Sequence, residues 1–188
     1  MQRAGFEFPF LDLLGDGYSS FRWHPFQLIE ASNSDAIVGS RAYGTTVEPS
    51  TFDPLCDAYR IADKGARYFR GMASNDSGTF LQLEFWPLNN GEASPFPVDF
   101  FKNVTNQPSF ANGSTCDSQI RLFHTALSEG EFAPVSVRGQ VTANLPPLQG
   151  KQGLGDIYGV EVTTPFIENN YLDCQTLKGF EGVDLPGY

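Results

Sequence analysis

Short apolar–polar alternations broken by turns make up most of this chain. From Val135 to Ala143, Val135, Val137 and Val141 fall on one face of a period of two, the signature of a half-buried strand. Ile157 to Thr164 repeats the pattern, with Tyr158, Val160 and Val162 on one face and Glu161 and Thr163 on the other. Between them, Leu145 to Gly153 carries Pro146, Pro147, Gly150 and Gly153 and reads as a loop. Thr79 to Trp86 is a further strand, with Leu81, Leu83 and Phe85 opposed to Gln82, Glu84 and Trp86. It follows the turn Asn75-Asp76-Ser77-Gly78. Ile120 to Ala126 and Phe21 to Ala31, the latter interrupted by Pro25, are predicted strands as well. Another starts at Ile37-Val38 and runs through Gly39 towards Thr46.

Residues 54 to 70 fit two periods. Asp53-Pro54 reads as a helix N-cap and first position, with Leu55, Tyr59, Ala62, Ala66 and Phe69 on one stripe. The stretch reads equally as a hairpin turning at Asp63-Lys64-Gly65. Turn residues recur throughout, with 19 Gly and 13 Pro, and this cadence points to an all-β or mostly β fold. The expected architectures are a single antiparallel β-barrel of the lipocalin or calycin kind, or a β-sandwich, with at most one or two short helices. One domain over 1–188 is expected: an N-terminal extension over 1–20, a long loop region over 92–115 as a candidate lid, and a C-terminal tail over 180–188.

Composition narrows the function classes. Hydrophobic residues are 40% and charged residues only 18%, below the typical ~25%, so the chain has a core to bury. A net charge of −10 repels phosphate backbones and anionic lipid, so no nucleic-acid partner and no membrane partner is expected. No apolar run approaches the ~20 residues of a spanning helix. The segment after Met1, Gln2-Arg3-Ala4-Gly5-Phe6-Glu7, lacks the apolar centre of a leader, as expected of a mature chain.

Secretion is nevertheless the expected compartment. Three glycosylation acceptors, Asn75, Asn103 and Asn112, each head an Asn-x-Ser/Thr triplet in surroundings rich in turn residues. Of the cysteines Cys56, Cys116 and Cys174, the last two sit beside polar turn residues and are the expected disulfide. Their spacing fits no zinc site, and neither a metal nor a cofactor is expected.

Candidate chemistry is sparse. With only two histidines, imidazole chemistry must use His24 or His124. Arg22 and His24 would share one face of a strand, where together they bind and polarise a carbonyl or carboxylate, while Trp23 takes the other. Glu84, beside Trp86 and flanked by Phe85, is a candidate general acid or base if its face lines a cavity, and half of an amphipathic strand if it meets solvent. The catalytic candidates are therefore Glu84, His24 and Arg22. The substrate-binding candidates are Trp23, Trp86, Phe85, Tyr68 and His124.

A surplus of 17 Phe fits an apolar cavity with few polar anchors. The expected function is a secreted pocket protein for an apolar small molecule, with a homodimer left open. If it is an enzyme, it is a cofactor-free isomerase or cyclase. The alternatives are a carbohydrate-binding or lyase-type β-sandwich, or a non-enzymatic effector. In composition the chain resembles small secreted proteins of filamentous fungi, several of which are β-barrels serving secondary metabolism.

Overall fold

The computed structural model describes residues 1–112, 114–148 and 150–177. The chain runs β1 (Arg3–Gly5), β2 (Phe8–Leu11), β3 (Phe21–Trp23), β4 (Phe26–Glu30), α1 (Ser34–Ala42), β5 (Thr46–Asp53), β6 (Arg60–Ile61) and β7 (Arg67–Ala73). It continues through β8 (Phe80–Pro87), α2 (Val98–Asn106), β9 (Ser109–Phe110), β10 (Thr115–Arg121), β11 (Val135–Asn144), β12 (Gln152–Glu161) and β13 (Phe166–Asp173). The fold is mostly β, with two short helices and curled sheets in a half-barrel or sandwich-like arrangement.

The larger sheet has the order β1-β4-β5-β7-β8-β11-β12, with β6 on β7. The smaller has the order β13-β10-β9-β3-β2. Most neighbours are antiparallel, but β4–β5 and β3–β9 are parallel. A parallel neighbour needs a crossover, and α1 supplies it between β4 and β5.

Period-two patterning selected the central strands well. Leu81 and Val141 are buried, and Leu83 and Phe85 pack against the same core, with Phe26, Leu28, Phe52 and Phe69. Gly139 fixes the pairing of β8 with β11, because a Cβ there would lie 1.9 Å from the Glu84 carbonyl oxygen. A second cluster joins Phe21 to Cys116 and Cys174, flanked by Leu13, Leu14, Phe110 and Leu177. Cys116 and Cys174 form the expected disulfide. A third places Ile37 of α1 on Ile29 and Val47.

Three expectations change, and one left open is decided. The strand expected from Ile37 is the helix α1: the Asn33 side chain accepts from Ala36 N at 2.9 Å, capping a helix whose first turn carries Asp35. Over 54–70 the hairpin prevails, with β6 paired to β7 and Lys64 and Gly65 both at positive φ in the turn, where a helix cannot continue. The 92–115 region is not a structureless loop, since it contains α2 and β9. The N-terminal 20 residues are no free extension, since β1 pairs with β4 and β2 with β3. The tail 180–188 lies outside the described residues.

Candidate functional site

Where the two sheets meet, a cavity of about 420 Å³ has one apolar and one polar wall. Phe69 of β7, Leu81 and Leu83 of β8, and Val141 of β11 build the apolar wall. Arg3, Glu7, His24, Gln27 and Arg121 build the polar one. Glu7 sits in the short link between β1 and β2, and His24 at the corner where Pro25 sends the chain from one sheet into the other.

Glu7 is the hub. Arg22, whose side chain is 2% exposed, donates from Nη1 to Glu7 Oε2 and from Nε to the Gln107 carbonyl oxygen at 2.8 Å. His24 Nδ1 lies 3.3 Å from Glu7 Oε1. Burial pushes the His24 imidazole down to about 4, reinforced by Arg22, Arg3 and Arg121 and opposed by Glu7. It is therefore neutral near pH 7. The neutral tautomer that carries its proton on Nδ1, facing Glu7, leaves the lone pair on Nε2. A Cβ at Gly5 would stand 2.6 Å from the Phe26 carbonyl oxygen and 3.0 Å from Nε2, so glycine there keeps the wall beside the imidazole open. Burial raises the Glu7 carboxyl, but Arg22, His24, Arg121 and Arg3 together outweigh it and hold the group below its ordinary value.

Arg121, at the end of β10, donates from Nη1 to the Thr105 carbonyl oxygen at 2.6 Å, at the C-terminal turn of α2, where helix carbonyls favour a cation. Asn106 fixes its backbone, accepting from Arg121 N at 2.8 Å and donating to Arg121 O at 3.2 Å. Burial, with Arg22 beside it, lowers the Arg121 guanidinium to about 10. Arg3 Nη2 donates to Gln119 Oε1 at 2.6 Å. Asp117 is buried with Oδ1 unpartnered, and burial, with Glu168, pushes its carboxyl up to about 6.

A second cavity of about 400 Å³ shares Phe69 and Leu83 with the first and extends along Phe85, Val137 and Val160. At its edge the Tyr59 hydroxyl and the Arg67 guanidinium both donate to Glu161, whose hydrogen bond raises the phenol's pKa.

The structure brings Arg22 and His24 together and adds Glu7, but it separates them from Glu84. Alternation along β8 sends Glu84 to the outer face, where Gln140 and Gln82 donate to it at 2.8 and 3.2 Å. Trp86 shares that face and borders an open groove with Arg138 and Asp156. Tyr68 lies under the Arg60 guanidinium, 4.2 Å from its centroid. Phe85 points inward to the second cavity. Trp23 packs on Phe8, and its indole N–H donates to the Ala111 carbonyl oxygen at 3.3 Å. His124 is exposed. Asn75, Asn103 and Asn112 are all exposed, although Asn103 lies on α2 rather than in a turn.

Sequence reasoning missed Glu7, Arg3 and Arg121. The available signal for Glu7 was a lone carboxylate between Phe6 and Phe8. Arg121 carried none, since its role depends on where α2 ends. The chain matches no protein-family model, no curated protein and no solved structure.

Proposed function

We propose that this is a secreted, glycosylated pocket protein that takes up an apolar small molecule and acts on it as a cofactor-free isomerase or cyclase. One observation carries the reading: a single cavity joins an apolar wall to Glu7 and the buried His24, with the buried Arg22 behind them on Glu7. An apolar guest gains roughly 25 cal/mol per Å² of surface removed from water, and the adjoining compartment lengthens the wall available to it. His24 Nε2, neutral and free, takes a proton from a carbon beside a carbonyl. Glu7 balances the imidazolium that forms. The imidazolium exchanges its proton with solvent, and return of a proton to another carbon gives an isomer of unchanged composition.

Binding is tested with Nile red, a neutral apolar dye. Saturable fluorescence enhancement is expected, lost in Leu83→Trp, which enlarges a side chain that lines both cavities. An absence of saturable binding, or binding indifferent to that substitution, rejects the pocket. The acid–base half is tested with an apolar extract of the native host in heavy water. Deuterium should enter an extract component with the wild-type protein and not with His24→Asn.

A carbohydrate-binding or lyase-type reading draws on the outer groove of about 480 Å³, where Trp86, 36% exposed, stands near Glu92, Gln140 and Asp156. Glycan-array binding abolished by Trp86→Ala would favour it, and silence on the array removes it.

A further inference from the structure

We propose that the pocket's occupant is an apolar carboxylic acid, bound as its anion with the carboxylate between Arg3 and Arg121. The inference rests on the pocket reading above and specifies the ligand's polar end. Three guanidiniums stand around the polar wall, and their partners differ. Arg22 is satisfied by Glu7 and by the Gln107 carbonyl. The remaining oxygen of Glu7 faces His24 Nδ1 at 3.3 Å.

Arg3 and Arg121 line the same cavity. Their side chains donate, among the described residues, only to neutral acceptors, Gln119 Oε1 and the Thr105 carbonyl oxygen. Among the described residues, neither has a carboxylate within the 4.0 Å of an ion pair. Two further carboxyls act on this region. Asp117 is buried and keeps Oδ1 unpartnered. Glu168 is exposed and borders a separate surface hollow that Arg3 also lines. Neither closes on a guanidinium.

A guanidinium presents five donors in a rigid fork shaped for a carboxylate, and a fork with donors to spare on a cavity wall is a strong site for one. Gln27 adds an independent sign. It lines the cavity, is fully buried, and donates from Nε2 to the Tyr43 hydroxyl while its Oε1 has no partner. A half-turn of that amide lets Oε1 accept from Tyr43 and frees Nε2 to donate to a ligand. With its carboxylate held there, the ligand's apolar body runs along Phe69 and Leu83 into the second cavity.

The test compares cis-parinaric acid with its methyl ester, by fluorescence and below the micellar concentration of the acid, with Nile red as reference. Two charge-assisted hydrogen bonds predict that the acid binds at least about tenfold more tightly than the ester. Arg3→Met and Arg121→Met should each bring that preference below about threefold while ester and Nile red binding persist. Equal binding of acid and ester alongside Nile red binding overturns this inference and leaves the pocket standing. Failure of all three probes to bind overturns the pocket reading and this one with it. Should Arg121→Met not fold, the wild-type comparison and Arg3→Met decide.

Discussion

His24 and Asp117 are buried in one electrostatic field, and burial drives them in opposite directions. His24 falls from an ordinary 6.5 to about 4, and Asp117 rises from an ordinary 3.8 to about 6. As pH falls below 6.5, the unfolded chain protonates its histidine and the folded one does not, which costs stability. Below about 6 the folded chain protonates Asp117 while the unfolded one does not, which restores it. The two effects offset until the unfolded chain begins to protonate Glu7 near its ordinary 4.5, while the folded chain still holds that carboxyl ionised. Urea midpoints should therefore be nearly flat between about pH 6 and 4.5 in the wild type. In Asp117→Asn they should fall through that window with a slope approaching 1.4 kcal/mol per pH unit. In His24→Asn they should rise as pH drops. Parallel profiles for all three proteins would show that the two groups do not titrate as a compensating pair.

Strand pairing is decided where side chains leave no alternative. At Gly139 any Cβ would collide with the Glu84 carbonyl oxygen and approach Phe85 Cα at 2.8 Å, so β8 and β11 pair closely only with glycine there. Gly139→Ala should cost at least about 3 kcal/mol in urea unfolding, whereas Gly155→Ala, with nothing within 4 Å, should stay within about 0.5. The Cys116–Cys174 bridge spans 58 positions and ties β10 to the turn following β13. Loop-closure entropy for that span is about 4 kcal/mol, so the Cys116→Ala/Cys174→Ala double variant should lose close to that amount. A loss under about 1 kcal/mol would mean that local packing of Phe21 and Leu177 alone holds the junction. The helix α1 teaches a different lesson. Asn33, Ser34 and Asp35 spell a helix start, but Ile37-Val38 favours a strand in isolation, and burial of Ile37 on Ile29 and Val47 resolves the conflict.

The whole molecule sets an acidic exterior against a polar wall rich in arginine. A chain of net charge −10 repels anions at long range, but three arginines line or back one cavity. Salt screens that repulsion beyond about a Debye length and the close arginine contacts much less, so binding of an anionic ligand should strengthen modestly with added salt. The exposed acceptors Asn75, Asn103 and Asn112 belong to the same outer surface. Peptide mapping of protein from its native host should find each converted to Asp after enzymatic deglycosylation. Unmodified asparagine at all three would remove the secreted, glycosylated reading.

The period of two, the turn residues and the sparse charges were enough to establish a mostly β chain, its principal strands and its disulfide, because those follow from local alternation and from a few positions. Arg22 and His24 were legible as neighbours for the same reason, since two residues apart on a strand means one face. Glu84 shows the limit of that reasoning: alternation separates two faces but does not say which one curls inward. That choice, the meeting of Glu7 with His24 and the approach of Arg121 from the end of α2 depend on long-range pairing, in which residues far apart in the chain fix one another's surroundings.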